Sequence, residues 1–220
     1  MIDLDKDGAV FVLHMRSGEN RFNRAFLDRF HAALDEVEAT SGPVALVTTG
    51  EDKFYSNGLD LSWMSGHGAG EAGGFVNDFI RFFGRLMAFS VPTVAAINGH
   101  AFAGGGMLAL AHDFRVMRSD RGFFCLPEID LRLPLAAGMT ALIQSRLSPS
   151  TLRDTVLTGA RLGGAESCAR GIVDEAVAAD EVLPRAIARA AALADKDRAT
   201  YAALKRGMYA ATLAVLERGD

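Results

Sequence analysis

The sequence predicts an α/β domain that passes into a helical C-terminal region, and three observations carry that reading. Short apolar runs rich in Val, Phe and Ile alternate with longer segments of helical periodicity over residues 1–147. Half of the 220 residues are apolar, enough to bury a sizeable core in one compact unit. From about Ser148 onward Ala, Leu, Arg and Glu dominate, so residues 148–220 read as mostly helical. No long low-complexity linker or internal repeat separates the two parts, which places the helical portion against the α/β core as one structural unit.

The elements follow in order. The run AVFVLHM, Ala9 to Met15, is bounded by Gly8 and by the RSGEN loop and reads as a strand. Phe26, Phe30, Leu34 and Val37 then recur at spacings of four, four and three, one face of a helix that ends before SGP. VALVTTG, Val44 to Gly50, is a buried strand running into the loop EDKFYSNGLDL. Phe75, Phe79, Phe82, Phe83 and Leu86 form the stripe of a second helix, closed off by Pro92. TVAAIN, FRVM and GFFCL read as further strands, and AGGGMLALA, between the first two of them, as a helix that opens on glycines. Strand and helix alternate throughout, as crossover connections require, and such folds gather binding loops at strand ends.

Composition excludes several classes of function. The formal net charge of -4 comes from 27 acids against 23 Lys and Arg, scattered without blocks, which argues against nucleic acid or anionic lipid as a partner. Cys125 and Cys168 stand far apart in no C-x-x-C spacing, so they read as small buried apolar groups in a reducing compartment. The acidic start MIDLDKDGAV carries no secretory signal, no apolar run approaches a membrane span, and the terminal ERGD is no peroxisomal address; the expected location is the cytoplasm.

Two loops stand out for their chemistry. Three consecutive glycines, Gly104 to Gly106, precede an apolar helix without the Lys and Ser or Thr of a phosphate-binding loop. The G-x-G-x-x-G at Gly68 to Gly73 lacks a strand directly before it and reads as a flexible loop. Glycines at 104–106 serve either tight backbone packing or a free N–H. FYSNGLDL also follows a strand and also sets a glycine where an N–H is left pointing into a cleft. Two converging N–H groups make an oxyanion hole, whose fixed donors need no reorganisation as negative charge develops. Glu128, directly after the apolar GFFCL, is either a surface glutamate on a turn or a desolvated carboxyl tuned for proton exchange.

TVAAINGHAFAGGGMLALAHDFRVMRSD followed by FFCLPEIDLRLP resembles the signature region of the crotonase superfamily, the enoyl-CoA hydratases and isomerases. FYSNGLDL is similar to that family's first oxyanion loop, LTGARLGGAESCARGIVDEAV to the segment leading into its C-terminal helices, and the likeness spans nearly the whole chain. FYSNGLDLSWM with MRSDRGFF resembles the delta(3)-delta(2)-enoyl-CoA isomerases of plants and their bacterial relatives. The resemblance implies a crotonase-like core of repeated ββα units and an acyl-CoA thioester held by two backbone N–H groups. The match to NGLDL places the first donor at Leu59, within a substrate-binding loop of Ser56, Asn57, Gly58, Leu59, Asp60 and Leu61. Anchoring on Asn98 and Asp113 without gaps places the second at Gly104, or at Gly105 if the loop shifts by one. Hydratases of the family use two glutamates; the first position is Met107 here and the second is Glu128.

A single carboxylate beside an oxyanion hole implies isomerisation of a 3-enoyl-CoA to the 2-trans-enoyl-CoA, with no metal or redox cofactor, coenzyme A being part of the substrate. The alternatives are a hydratase or acyl-CoA hydrolase in which another acid, such as Asp60 or Asp130, stands in, or a non-catalytic acyl-CoA-binding protein. The family resemblance also implies a homotrimer or a dimer of trimers. Asp60 otherwise reads as a helix cap and Asp130 as a surface residue past the turn at Pro127. His100 and His112 lack a paired acid at metal-ligand spacing. Trp63 and Met64 are candidates for the acyl passage, and Arg21, Arg24 and Lys53 for the CoA phosphates.

Overall fold

In the computed structural model, which describes residues 1–219, strand pairs followed by a helix repeat three times through the middle of the chain. Asp220, the last residue of the ERGD terminus, lies outside the described residues. A hairpin of β1 (Ile2–Asp7) and β2 (Val10–Met15) comes first, then α1 (Arg24–Ala39), whose cap Asn23 accepts a hydrogen bond from the Phe26 N–H at 3.0 Å. The first unit is β3 (Ala45–Thr49), β4 (Phe54–Ser56) and the helices α2 (Leu61–Ser65) and α3 (Ala72–Met87). The second is β5 (Thr93–Ile97), β6 (His100–Phe102) and α4 (Gly104–Ala111); the third is β7 (Phe114–Arg118), β8 (Phe124–Cys125) and α5 (Glu128–Leu131).

The remainder is α6 (Ala137–Arg146), α7 (Pro149–Thr158), α8 (Gly164–Ala169), β9 (Glu175–Val177), α9 (Val182–Ala191), α10 (Arg198–Met208) and α11 (Ala210–Leu216). The first strand of each unit enters a six-stranded sheet of order β1-β2-β3-β5-β7-β9, parallel except for β1, and the second enters a parallel three-stranded sheet, β4-β6-β8. Each helix therefore starts at the far end of a short strand, and α2, α4 and α5 bring their N-termini to one cavity.

The large sheet is covered on both faces, which is why its inner strands read as continuous apolar runs. One face packs the helix stripes, with Phe22, Phe26, Phe30, Phe75, Phe79, Phe82 and Phe83 in one cluster and the Phe79 and Phe83 ring centroids 4.5 Å apart. The other face, Val10, Val12, Ala45, Val47, Val94, Ala96 and Val116, is covered by Val182, Ala186 and Ala190 of α9. The two expected helix stripes are both buried.

Four strands depart from the sequence reading. β1 forms in the acidic start; at the sheet edge Asp3, Asp5 and Asp7 keep access to water while Leu4 pairs with Leu13. β4 and β6 span three residues each, below the length at which alternation is legible, and β4 lies inside a stretch that reads as loop. β9 lies in the half that reads as mostly helical and extends the large sheet beside β7. Cys125 is buried as expected, but Cys168 is only partly so, since α8 turns it toward the surface.

His112 closes α4 from inside the core. Its Nδ1–H donates to the Leu108 carbonyl at 2.8 Å, which makes Nε2 the acceptor for the Thr48 hydroxyl at 2.9 Å, and Thr48 in turn accepts from the Tyr55 hydroxyl at 2.7 Å. Burial first, and nearby Arg115 and Lys205 after it, bring the imidazole pKa down to about 3. The folded state thus binds this proton less readily than the unfolded chain, so the contribution is present above the unfolded value of 6.5 and lost as pH falls toward about 3. Thermal melts between pH 7 and pH 4 should show a shallower acid loss for His112→Gln than for the parent, although the variant starts lower at pH 7.

Candidate active site

A cavity of about 260 Å³ opens where the three units converge, lined by Asn57, Leu59 and Leu61 from the first, Ala103, Gly104 and Met107 from the second, and Glu128 from the third. Its remaining wall is apolar, with Met64, Val76 and Phe79 on one side and Leu131, Leu133, Leu135 and Met139 on the other. Glu128 is the first residue of α5, directly after Pro127, and is 9% exposed. Its Oε2 is buried without a hydrogen-bond partner. Burial raises its pKa above the ordinary 4.5, opposed in part by a backbone hydrogen bond.

A trans peptide points its N–H opposite its C=O, so fixing one aims the other. The Phe22 N–H donates to the Gly58 carbonyl at 2.7 Å, and the Phe22 carbonyl accepts from the Asp60 N–H at 2.9 Å. These two bonds make a parallel bridge between Phe22 and Leu59, which directs the Leu59 N–H away from Phe22. Gly58 has φ +77°, and a Cβ there would lie 2.7 Å from the Gly104 nitrogen, so the two loops touch through backbone alone.

Gly104 opens α4, where first-turn N–H groups have no partner within the helix. Ala103 before it has φ +50° and ψ -123°, a conformation that costs a non-glycine residue roughly 1–3 kcal/mol. The Ala103 N–H is held by the Cys125 carbonyl at 2.9 Å and its carbonyl accepts from Met107 at 3.1 Å, which orients the peptide leading to Gly104. A Cβ on Gly104 would lie 2.8 Å from the tip of Phe79, and one on Gly105 would lie 2.0 Å from the Ser56 carbonyl oxygen. Gly104 therefore faces the cavity, and Gly105 packs against the other loop.

Of the expected site residues, Asn57, Leu59, Leu61, Gly104 and Glu128 line this cavity together. Ser56 is fully buried, its hydroxyl donating to the Asn20 carbonyl at 2.7 Å. Asp60 caps α2, accepting from the Trp63 N–H at 3.0 Å, and faces a separate surface depression. Asp130 is exposed beside Gly159, so neither aspartate replaces a second acid in the cavity. Met64 lines the wall, whereas Trp63 packs edge-on against Phe75 at 4.9 Å. Arg24 pairs with Glu71 and Asp78 and Arg21 with Glu19, while Lys53 borders a different depression beside His100. The Phe22 bridge and the wall residues Val76, Leu135 and Met139 escape a motif reading, because only packing brings them to the cavity.

The raised Glu128 pKa has a consequence for stability. The folded state holds this proton more tightly than the unfolded chain, so the contribution is present below the ordinary 4.5 and lost as pH rises through the folded value. Glu128→Gln should melt at a higher temperature than the parent at pH 8, with the gap shrinking at pH 4, as followed by circular dichroism.

Comparison with known proteins agrees with this architecture. The pattern of the enoyl-CoA hydratase/isomerase family matches residues 5–219. Enoyl-CoA delta isomerase 3 of Arabidopsis thaliana is 36% identical over 220 residues, covering 95% of this chain and 92% of the relative. The same plant's peroxisomal enoyl-CoA delta isomerase 2 is 33% identical over 222 residues, with the same coverage of 95% and 92%. In fold, the human mitochondrial delta3-delta2-enoyl-CoA isomerase superposes with a TM-score of 0.89 at 23% identity, over 97% of this chain and 84% of the other. The apo enoyl-CoA isomerase of Mycobacterium tuberculosis does so with 0.91 at 24% identity, over 99% and 95%. With the family pattern running almost from end to end and relatives above 30% identity matched over nearly their full length, the chain belongs to the enoyl-CoA hydratase/isomerase family of the crotonase superfamily.

Proposed function

We propose that the protein converts 3-enoyl-CoA to 2-trans-enoyl-CoA by a proton shuttle through Glu128. The observation that carries this reading is that, among the described residues, one buried carboxyl, Glu128 with its Oε2 partnerless, stands on the wall that also presents Leu59 and Gly104. The carboxylate takes a proton from C2, and the electron pair passes to the thioester oxygen, giving a dienolate. The Leu59 and Gly104 N–H groups stabilise that oxygen, donors of a kind typically worth roughly 3–4 kcal/mol each in the barrier. The carboxylic acid returns its proton to C4, and the double bond comes to rest between C2 and C3. The acidity comes from the thioester, so the residues named need only orient it and move the proton.

Met107 favours isomerisation over hydration. It lines the cavity at the position where the family resemblance gives hydratases their other glutamate, and a thioether neither activates nor holds a water as an acid does. The acyl tail follows the apolar wall toward Leu61, Leu131 and Leu133, which are 44%, 48% and 45% exposed and form its mouth. The assembly we propose is a homotrimer or dimer of trimers; Leu157, Leu204 and Met208, exposed on the C-terminal helices, support self-association. Light scattering of the full chain should return a multiple of three times 23.4 kDa, and a monomer would refute it.

Incubation with 3-hexenoyl-CoA should give the conjugated product, while crotonyl-CoA stays unhydrated. Hydration of crotonyl-CoA would overturn the assignment. Glu128→Gln should lower kcat by about 10²- to 10⁴-fold with acyl-CoA affinity retained. Because the base must be ionised, kcat/KM should rise with pH through a midpoint above the ordinary 4.5, which a pH–rate profile reads directly.

A further inference from the structure

We propose that Asn20 is a positioning residue for the Leu59 amide, acting through the loop it ties to β4; this rests on the isomerase reading, in which that amide receives the thioester oxygen. Asn20 is fully buried, with φ +49°, in the turn between β2 and α1. Burying a side-chain amide is costly unless its donors and acceptor find partners, and here they do. Its Nδ2–H₂ donates to the Phe54 carbonyl at 3.3 Å and the Tyr55 carbonyl at 3.1 Å, and its Oδ1 accepts from the Ser17 N–H at 2.8 Å. Its own carbonyl accepts from the Ser56 hydroxyl at 2.7 Å, and the Ser56 Oγ in turn accepts from the Gly58 N–H at 3.3 Å.

The location of these bonds gives them their effect. The pairing of β4 shifts register between Phe54 and Ser56, and at that irregularity Asn20 donates to two carbonyls, that of Tyr55 and that of Phe54, the latter shared with the Asn98 Nδ2–H₂ at 3.4 Å. The residues on either side of Asn20 grip the next stretch of chain: the Glu19 carbonyl accepts from the Asn57 N–H at 2.9 Å, and Phe22 holds Gly58 and Asp60. The peptide joining Gly58 to Leu59 is thus clamped in front by Phe22 and from behind by the Asn20–Ser56 pair. A glycine would make the same turn and keep the main-chain carbonyl that receives the Ser56 hydroxyl, but it would take the side-chain amide away from the Phe54 and Tyr55 carbonyls and from the Ser17 N–H, leaving the rear of the clamp tied by that one bond.

The test uses the full-length protein with Asn20→Gly, which keeps the backbone conformation, the isosteric Asn20→Asp, which presents an oxygen to the two carbonyls, and the milder Ser56→Ala. Two readouts are taken per folded molecule, with folding scored by near-UV circular dichroism: kcat and KM for 3-hexenoyl-CoA, and the affinity ratio of acetoacetyl-CoA, whose acidic C2 lets it present an enolate oxygen, to butyryl-CoA. Asn20→Gly and Asn20→Asp should lower kcat by about 10- to 100-fold, part of the loss seen when an oxyanion donor is deleted, with KM within about threefold. The acetoacetyl-CoA preference should fall in step, Ser56→Ala should lie between, and the Glu128 limb of the pH profile should stay in place. A parent-like kcat and ligand ratio in Asn20→Gly and Ser56→Ala would overturn the proposal alone. A parent protein with no preference for acetoacetyl-CoA and no conjugation would overturn the isomerase reading and this inference together.

Discussion

The geometry of the site depends on two trans peptides whose carbonyls are already spoken for. Phe22 occupies the Gly58 oxygen and Met107 the Ala103 oxygen, so the next N–H of each peptide points the other way. Neither orientation depends on a side chain at the donor itself, and Leu59 and Gly104 share no chemistry. What they share is a backbone held from behind, with glycine at 58 because a Cβ there would run into the Gly104 nitrogen and at 104 because a Cβ there would run into the Phe79 ring. Backbone donors positioned this way do not rotate away as a side-chain amide would.

The repeated ββα unit explains why three separate stretches of sequence meet at one point. Each unit sends its first strand to the large sheet and its second to the small one, and each then starts a helix at the same end. The first unit delivers Leu59, the second Gly104 and the third Glu128. Parallel pairing in both sheets aligns the units, and the phenylalanine cluster under α3 holds Phe79 against Gly104. The third unit buries Glu128 in this wall, and that burial raises its pKa. Under the proposed reaction, stability and chemistry oppose each other there: an ionised carboxyl with a partnerless oxygen destabilises the fold, while a proton shuttle would need that same carboxyl neither strongly acidic nor locked in a salt bridge.

Of the four non-glycine residues with positive φ among the described residues, Asp52 borders a different depression and the other three bear on this point. Asn20, Ala103 and Arg132 all have positive φ, and they precede the Phe22 bridge, open α4 and close α5, respectively. Ala103 lines the cavity and Arg132 stands between the lining residues Leu131 and Leu133, whereas Asn20 reaches the wall through its bonds to Tyr55 and Ser56. Strain of this kind persists only where surrounding bonds over-determine it, and the bonds of Asn20 and Ala103 do so.

The sequence by itself determined the alternation of strand and helix, the buried stripes of α1 and α3, the cap at Asp60, and the loops that carry Leu59, Gly104 and Glu128. Those features are local: periodicity, a capping side chain and a glycine run are written in consecutive residues. Tertiary structure alone decided that β1, β4, β6 and β9 are strands, because runs this short or this charged pair only when a neighbouring strand is already in place. It also decided which candidates face the cavity, separating Leu61 and Met64 from Ser56, Asp60 and Trp63 although all five lie within nine residues. The direction of a peptide N–H is set by whatever grips the carbonyl before it, and at Leu59 that partner is Phe22, far away in the chain and invisible to any local pattern.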